Sequence, residues 1–204
     1  MSAPLGLIRP DRQLELLDRS GGRRVFTGQP DSALLWGSWS NSEPNQHRYS
    51  WPTWDPSGQR VACLRASHKG RGAELCVQYL DGVRSDVLLE FGERIPIYLV
   101  WSPEGDSLAT LYQDKHQLGL MTLDLTKDSK RTLLNGSPLF FTWASNTHLA
   151  CFVGRPSGAS LALVDRRTGE QHVLPGEPLN FCTPVQLGGR TAYVAHQHLS
   201  LIHI

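Results

Sequence analysis

The chain has 204 residues, of which 40% are hydrophobic and 19% are charged, and its formal net charge at pH 7 is +1. This length allows one large domain or two small ones, and the hydrophobic content is sufficient for a folded core. The balanced charge offers no electrostatic footprint for nucleic acid, and no segment approaches the roughly 18 apolar residues of a membrane span.

The first 22 residues predict an N-terminal extension, and its first fifteen residues are expected to be either a short helix or mobile. Charged residues interrupt every short apolar run there, so the apolar core of a secretory signal is not seen. We therefore expect a cytoplasmic protein. Strand-like runs follow at 24–27 and 33–39, and a polar loop at 41–47 precedes the first clear hairpin.

A segment built around tryptophan occurs three times, about 42 to 47 residues apart. In each copy an apolar strand ends at Trp, a tight turn follows, and a second aliphatic strand begins. Pro presets φ in the first two turns and Gly accepts positive φ, whereas Asn146 takes that place in the third. The residues that define the motif are Trp54, Pro56, Gly58, Trp101, Pro103, Gly105 and Trp143. A degraded fourth copy lies at 181–194.

A second pair of apolar runs lies between successive hairpins. These runs predict strands at 74–80 and 86–90, at 118–125 and 131–134, and at 160–165 and 171–174. Asp81-Gly82 and Thr168-Gly169 are good hairpin turns. Each unit therefore holds four short antiparallel strands, which is the signature of a propeller blade.

The repeated pattern W-[SD]-P-x-G-x-x-[LV]-A resembles the TolB-type, WD-repeat-like β-propeller repeat, and it is similar to the propeller domain of the prolyl oligopeptidase family. The resemblance covers roughly residues 49–195. It implies an all-β fold of four-stranded antiparallel blades, with a partial propeller at 23–198 and blade motifs near 49–90, 96–134, 138–174 and 180–195. An unrelated β-sandwich with coincidental Trp-Pro-Gly turns is the alternative.

The number of blades bears on whether the ring is complete. About four to five blades fit in this length, whereas the resemblance implies six or more, and an unclosed ring leaves a sheet edge in solvent. Residues 199–204 read LSLIHI, which resembles the translated read-through of a sequencing adapter. We therefore expect an incomplete ring from a longer protein with an artefactual tail at 199–204. A small closed ring and a genuine terminal strand are the alternatives.

The common motifs of catalysis and nucleotide binding do not occur in the sequence, including GxxxxGK[ST], GxGxxG, GxSxG and HExxH. Ser157 has the wrong spacing for a nucleophile, and His196 and His198 are interpreted as bystanders rather than metal ligands. We nominate no catalytic, cofactor-binding or metal-binding residue and expect no cofactor. Whether the protein is an enzyme stays open.

Three further groups of residues invite functional interpretations. The recurring Asp55, Asp81, Asp124 and Asp165 are predicted to fix turns by accepting backbone N–H groups, rather than to bind calcium. The periodic tryptophans of the motif are predicted to pack between adjacent blades. The three other tryptophans are better candidates for an exposed aromatic patch: Trp36, Trp39 and Trp51.

The four cysteines are scattered without CxxC spacing: Cys63, Cys76, Cys151 and Cys182. They are predicted to be small buried side chains of a protein in a reducing compartment. A disulfide between two of them is the alternative.

The leading functional hypothesis is a non-enzymatic, TolB-like propeller scaffold that presents loops and a channel to a protein or small ligand. The alternative is the N-terminal gating propeller of a prolyl oligopeptidase-like serine peptidase, whose α/β-hydrolase domain would follow the chain. A GxSxG motif downstream of His198 would favour the peptidase.

Overall fold

The computed structural model describes residues 5–8, 14–17, 23–26, 49–66, 72–80, 85–175, 178, 184–187, 190–195 and 198–203. Every regular element among them is a β-strand. The strands are β1 Leu5–Ile8, β2 Leu14–Leu17, β3 Arg23–Phe26, β4 Tyr49–Trp54, β5 Arg60–Ala66, β6 Ala73–Tyr79, β7 Ser85–Glu90, β8 Ile95–Trp101, β9 Ser107–Asp114, β10 Gln117–Asp124, β11 Ser129–Gly136, β12 Leu139–Trp143, β13 His148–Arg155, β14 Gly158–Asp165, β15 Gln171–Val173, β16 Val185–Leu187, β17 Arg190–Ala195 and β18 His198–His203. None of the described segments is a helix long and apolar enough to cross a membrane.

The strands form five sheets in which neighbouring strands are consecutive in sequence. Three sheets have four strands each, and we call them blade 1 (β4–β7), blade 2 (β8–β11) and blade 3 (β12–β15). β1–β3 and β16–β18 form sheets of three strands. The predicted all-β fold of four-stranded antiparallel blades is confirmed, and blades 1, 2 and 3 span residues 49–90, 95–136 and 139–173.

Strands occupy parts of both terminal ranges, 1–22 and 199–204. The range 1–22 contains β1 and β2. Its first fifteen residues were expected to be a short helix or mobile, and the described part of them forms strand. The range 199–204, interpreted as an artefactual tail, overlaps β18, which pairs with β17 from Ala195↔His198 to Arg190↔His203.

The chain divides into two compact units, residues 1–99 and 100–204, and the boundary falls within β8. In the first unit, β5 and β6 carry nearly unbroken runs of buried residues, whereas the outer strand β7 is largely exposed. In the second unit, β9, β10 and β13 are buried in the same way. There β10 and β11 of blade 2 lie against β12 and β13 of blade 3. Strands covered on both faces show continuous apolar runs rather than alternation.

In blade 1 the turn between the first two strands is held by the carboxylate of Asp55. Its Oδ1 accepts hydrogen bonds from the backbone N–H groups of Gln59 and Arg60, both at 3.0 Å. The N–H of Gly58 donates to the Asp55 carbonyl at 2.9 Å, and Gly58 has a φ of 70°, which favours glycine. This is the turn role predicted for Asp55.

Blades 2 and 3 hold the same turn with a serine. In blade 2, Ser102 Oγ accepts from the Ser107 N–H at 3.1 Å, and Gly105 adopts a φ of 73°. In blade 3, Ser145 Oγ accepts from the His148 N–H at 3.1 Å. A short side-chain oxygen therefore takes the place of the carboxylate in both turns. The turn of blade 3 is one residue shorter, and Asn146 does not adopt the positive φ that the sequence predicted for it, because Gly58 and Gly105 have no equivalent in the shorter turn.

The periodic tryptophans do not share one environment. Trp101 and Trp143 are 5% and 3% exposed. Trp143 Nε1 donates to the Val100 carbonyl at 3.1 Å, which links blade 3 to blade 2. Trp54 is only half-buried and packs beside a buried cluster in blade 1 that includes Tyr49. Trp143 therefore bonds to the neighbouring blade, and Trp54 contacts the apolar cluster of its own blade.

Blades 2 and 3 are also joined by a polar network. Arg166 Nη1 and Nη2 donate to Asp106 Oδ1 and Oδ2 at 3.1 and 2.9 Å, and Nη1 also contacts Ser107 Oγ. Asn146 Nδ2 donates to Glu104 Oε2 at 2.9 Å and to Asp106 Oδ2 at 3.2 Å. A bidentate guanidinium–carboxylate pair is among the stronger and more directional polar contacts in proteins.

The network keeps Asp106 ionised. Burial tends to raise the pKa of Asp106, but hydrogen bonds from Ser102, Arg166 and Asn146 outweigh it and hold that pKa below its usual value of 3.8. Relative to the protonated form, the ionised form of Asp106 is therefore favoured more strongly in the folded chain than in the unfolded one.

We predict that Trp101→Ala lowers the free energy of unfolding by about 3–5 kcal/mol, because it leaves a cavity in a closely packed core. Urea unfolding measures this value. Trp51→Ala is the matched control: Trp51 is 55% exposed, and the loss of its ring contact with Tyr98 should cost at most about 1.5 kcal/mol. A loss at Trp101 no larger than at Trp51 would contradict the buried placement.

We predict that Asp106→Asn lowers the free energy of unfolding at neutral pH by at least about 1 kcal/mol, because Arg166 loses an ionised partner. A group with a lowered folded pKa stabilises the fold above its unfolded pKa, here 3.8. That contribution is lost as the pH falls from about 5 through the lowered pKa. The difference between the wild type and the variant should therefore shrink toward about pH 3.

Urea unfolding at several pH values tests the Asp106 prediction. Asp114→Asn is the control, because this variant also removes one carboxylate. Asp114 is exposed and lies at the end of β9 opposite to Asp106. A constant difference between Asp106→Asn and the wild type at all pH values would refute the electrostatic explanation.

Candidate functional site: a basic pocket between two turns

A cavity of about 250 Å³ opens between the β10–β11 turn of blade 2 and the turn after β14 in blade 3. Antiparallel strands alternate in direction, so the β8–β9 turn lies at the same end of blade 2 as the β10–β11 turn. The cavity is lined by Ser107, Thr122, Asp124, Lys127, Ser129, Lys130, Arg131, Arg166 and Arg167. We call this cavity the basic pocket.

The lining is unusually rich in positive charge. It contains five cationic side chains and one carboxylate, although the whole chain carries a net charge of only +1. Four of the cations are exposed: Lys127, Lys130, Arg131 and Arg167. Clustered cations beside a concave surface raise the local concentration of anions.

The single carboxylate of the lining is engaged in its own turn. Asp124 Oδ1 accepts hydrogen bonds from the Thr126 N–H at 3.0 Å, the Thr126 hydroxyl at 2.6 Å and the Lys127 N–H at 3.2 Å. The hydrogen bond from the Thr126 hydroxyl holds the pKa of Asp124 below its usual value. Asp124 therefore fixes the backbone position of Lys127, as predicted for a turn aspartate.

Asp165 does the same on the opposite wall. Its Oδ1 accepts from the Arg167 N–H at 2.6 Å and from the Thr168 N–H at 2.8 Å. The backbone hydrogen bond from Thr168 is the main cause of the lowered pKa of Asp165. The carbonyl of Thr168 in turn accepts a long 3.5 Å bond from Arg131 Nη1, which spans the two walls. The fourth recurring aspartate, Asp81, lies outside the described residues.

Arg166 is the buried cation of the pocket. It is 6% exposed, its N–H donates to the Thr147 carbonyl at 2.9 Å, and its carbonyl accepts from the Thr122 hydroxyl at 3.5 Å. Asp106 takes up the Nη atoms, whereas Nε is buried and has no hydrogen-bond partner among the described residues. The guanidinium is thus held in place by its backbone and by one carboxylate.

The arrangement suits anion binding. Lysine and arginine side chains recognise carboxylate and phosphate groups, and a preorganised arginine loses little entropy when it does so. Among the described residues, no three His, Cys, Asp or Glu side chains converge in a way that could hold a metal ion.

Other residues considered from the sequence lie elsewhere. Trp51 is 55% exposed, and its ring centroid is 6.3 Å from that of Tyr98, in the first unit. Its proposed companions Trp36 and Trp39 lie outside the described residues. Ser157 lies in an exposed turn after β13. His198 begins β18, whereas His196 is outside the described residues.

Sequence reasoning missed Arg166, Lys127 and Arg131 as site residues. A usable signal was present, because basic residues follow the strand-ending aspartates Asp124 and Asp165 in two successive repeats. Charges at equivalent turns of adjacent blades come close together once the blades stack.

No protein-family model matches the sequence, and no curated protein matches it. Solved structures do match in fold. A puromycin-hydrolyzing peptidase from Mycobacterium tuberculosis is 17% identical with a TM-score of 0.66, and the match covers 98% of this chain and 36% of that one. TolB from Acinetobacter baumannii is 13% identical with a TM-score of 0.56, and the match covers 94% of this chain and 49% of that one.

A third match is a β-propeller domain taken on its own. The propeller domain of the Trilobed protease from Pyrococcus furiosus is 15% identical with a TM-score of 0.56, and the match covers 74% of this chain and 50% of that one. The chain thus spans about a third to a half of the length of the three proteins. The fold of this chain is that of a β-propeller module, similar to TolB and to the propeller domains of these peptidases.

Proposed function

We propose that this chain is a non-enzymatic propeller binding module, and that its basic pocket takes an anionic group, carboxylate or phosphate, from a protein or small-molecule partner. The observation that carries the proposal is the concentration of four exposed cations around one cavity, beside the buried Arg166 whose charge is paired with Asp106. Propeller loops carry binding groups on a rigid scaffold, which fits this location.

The shape and chemistry of the pocket support this ligand class. A volume of about 250 Å³ is larger than one phosphate or carboxylate group and leaves room for the part of the ligand that bears it. Asp124 and Asp165 fix the turns from which Lys127 and Arg167 extend. The exposed lysine and arginine side chains can reorient around an anion, whereas Arg166 stays in place.

Titration with inorganic phosphate tests the proposal. We expect saturable binding by calorimetry at low ionic strength, and a dissociation constant at least about tenfold weaker in the triple variant Lys127→Gln, Lys130→Gln, Arg131→Gln. A tenfold loss corresponds to about 1.4 kcal/mol, and one hydrogen bond to a charged group contributes about 1.5–3 kcal/mol. Arg166 is left unchanged because it also joins the two blades.

The matched control is Lys115→Gln, which removes an exposed lysine at the β9–β10 turn, the other end of blade 2. It should bind phosphate like the wild type. Sodium chloride at the same ionic strength controls for general screening. Absence of saturable binding to the wild type, or an equal loss in Lys115→Gln, would rule out the pocket as the anion site.

A second candidate is the gating propeller of a serine peptidase. It is favoured by the match to the Mycobacterium tuberculosis peptidase, which covers nearly all of this chain but only 36% of that protein. In this role the propeller would control access to a hydrolase domain encoded by the same gene.

The complete open reading frame of the source gene separates the two candidates. Further blades followed by a stop codon would support the binding scaffold and overturn the gating role. A GxSxG motif with later Asp and His residues would support the gating role and overturn the claim of a non-enzymatic protein.

A further inference from the structure

Blade 1 contains a pair of cysteines that face each other across two strands. Cys63 on β5 is directly opposite Cys76 on β6. Both side chains are fully buried, and the two Sγ atoms are 3.3 Å apart. Cys151, also buried, lies in the other compact unit. The pair in blade 1 is therefore distinct from the remaining described thiol.

The strand register is compatible with the geometry of a disulfide. Directly opposed residues of an antiparallel pair have Cα atoms about 4.5 or 5.5 Å apart, and disulfides occur at Cα separations of about 4.4–6.8 Å. The sulfur atoms would have to approach from 3.3 Å to about 2.05 Å. Rotation of the two side chains is the main movement needed.

The pairing of β4 with β5 and the pairing of β6 with β7 are both irregular beside the two cysteines. On one side, Ser50 pairs with Leu64 and Thr53 with Ala62, so that two residues of β4 stand opposite Cys63 alone. On the other side, the register of the β6–β7 pairing shifts between Leu75 and Cys76. An extra residue locally disrupts a ladder, and interrupted ladders open more readily than regular ones. We expect local opening at these irregularities to be the path by which a small oxidant reaches the buried sulfur atoms.

Charged groups beside the pair make the two thiols unequal. Arg65, two residues along β5, donates from Nη2 to Glu74 Oε2 at 2.6 Å. The hydrogen bond from Cys63, supported by the Arg65 charge, lowers the pKa of Cys76, whereas burial raises the pKa of Cys63. Tyr49 packs against both cysteines, and burial raises its pKa to about 12. The contact with Cys63 and the Arg65 charge both favour the thiolate form of Cys76, so Cys76 is assigned the attacking role.

We propose that Cys63 and Cys76 are a thiol modification site, at which hydrogen peroxide converts the pair to a reversible intramolecular disulfide within blade 1. This inference does not depend on the basic pocket, which lies in the other compact unit.

The reaction is balanced with peroxide as the only oxidant. The Cys76 thiolate attacks one peroxide oxygen and the O–O bond breaks, which leaves a sulfenic acid on Cys76 and releases hydroxide that takes up the thiol proton as water. The Cys63 sulfur then attacks the Cys76 sulfur, and the sulfenic OH leaves as a second water with the proton of Cys63. The two thiols lose two electrons and two protons, and the peroxide is reduced to two waters.

Peroxide treatment of the folded, fully reduced chain tests the proposal. Thiols are counted after denaturation, and tryptic peptides are analysed by mass spectrometry without reduction. Trypsin cuts after Arg65, Lys69 and Arg71, so the two cysteines fall on separate peptides unless they are bonded. We expect the thiol count to fall from four to two, with a peptide pair that joins Cys63 to Cys76. Dithiothreitol should restore all four thiols.

Three variants sharpen the result. Cys63→Ser and Cys76→Ser should each abolish the linked peptide pair, whereas Cys151→Ser should form it at the wild-type rate. The wild-type measurement stands alone if either single variant fails to fold. Retention of all four thiols, irreversible oxidation to sulfinic acid, or linkage of Cys63 or Cys76 mainly to Cys151 or Cys182 would overturn the proposal.

Discussion

Coverage of both sheet faces is the constraint on which the rest of this structure depends. The middle strands of the blades carry apolar side chains on both faces, and a sheet of four strands cannot bury both by itself. In the second unit, β10 and β11 lie against β12 and β13. The outer strands β7 and β15 have far more exposed side chains, because they carry fewer apolar residues that must be buried.

Stacking brings polar groups of adjacent blades together, and these groups must then be paired. Asp106, just before β9, meets Arg166, just after β14, although the two are 60 residues apart in sequence. Burial of an unpaired guanidinium would be costly, so the ion pair fixes where the β14–β15 turn lies over blade 2. The basic pocket is the space left between that turn and the β10–β11 turn.

Blade 1 differs from the other blades in its pair of facing cysteines. Its strand ladders are irregular on both sides of Cys63 and Cys76, and the thiols share their surroundings with Arg65, Glu74 and Tyr49. Blade 3 carries its cysteine, Cys151, opposite Ala162, with no second thiol across the strand. The dithiol is thus a feature of one blade, whereas the hairpin turn is common to all three.

The sequence by itself determined the blades, because their turns are local. Asp55, Gly58 and Arg60 make their contacts within six consecutive residues, so the turn can be predicted from the local sequence of the repeat. The pocket and the cysteine pair were decided only by the tertiary structure. Cys63 and Cys76 meet through strand register, and Lys127 and Arg167 line one cavity through blade stacking. Neither contact can be predicted from the spacing of nearby residues, since one depends on strand register and the other on how two blades stack.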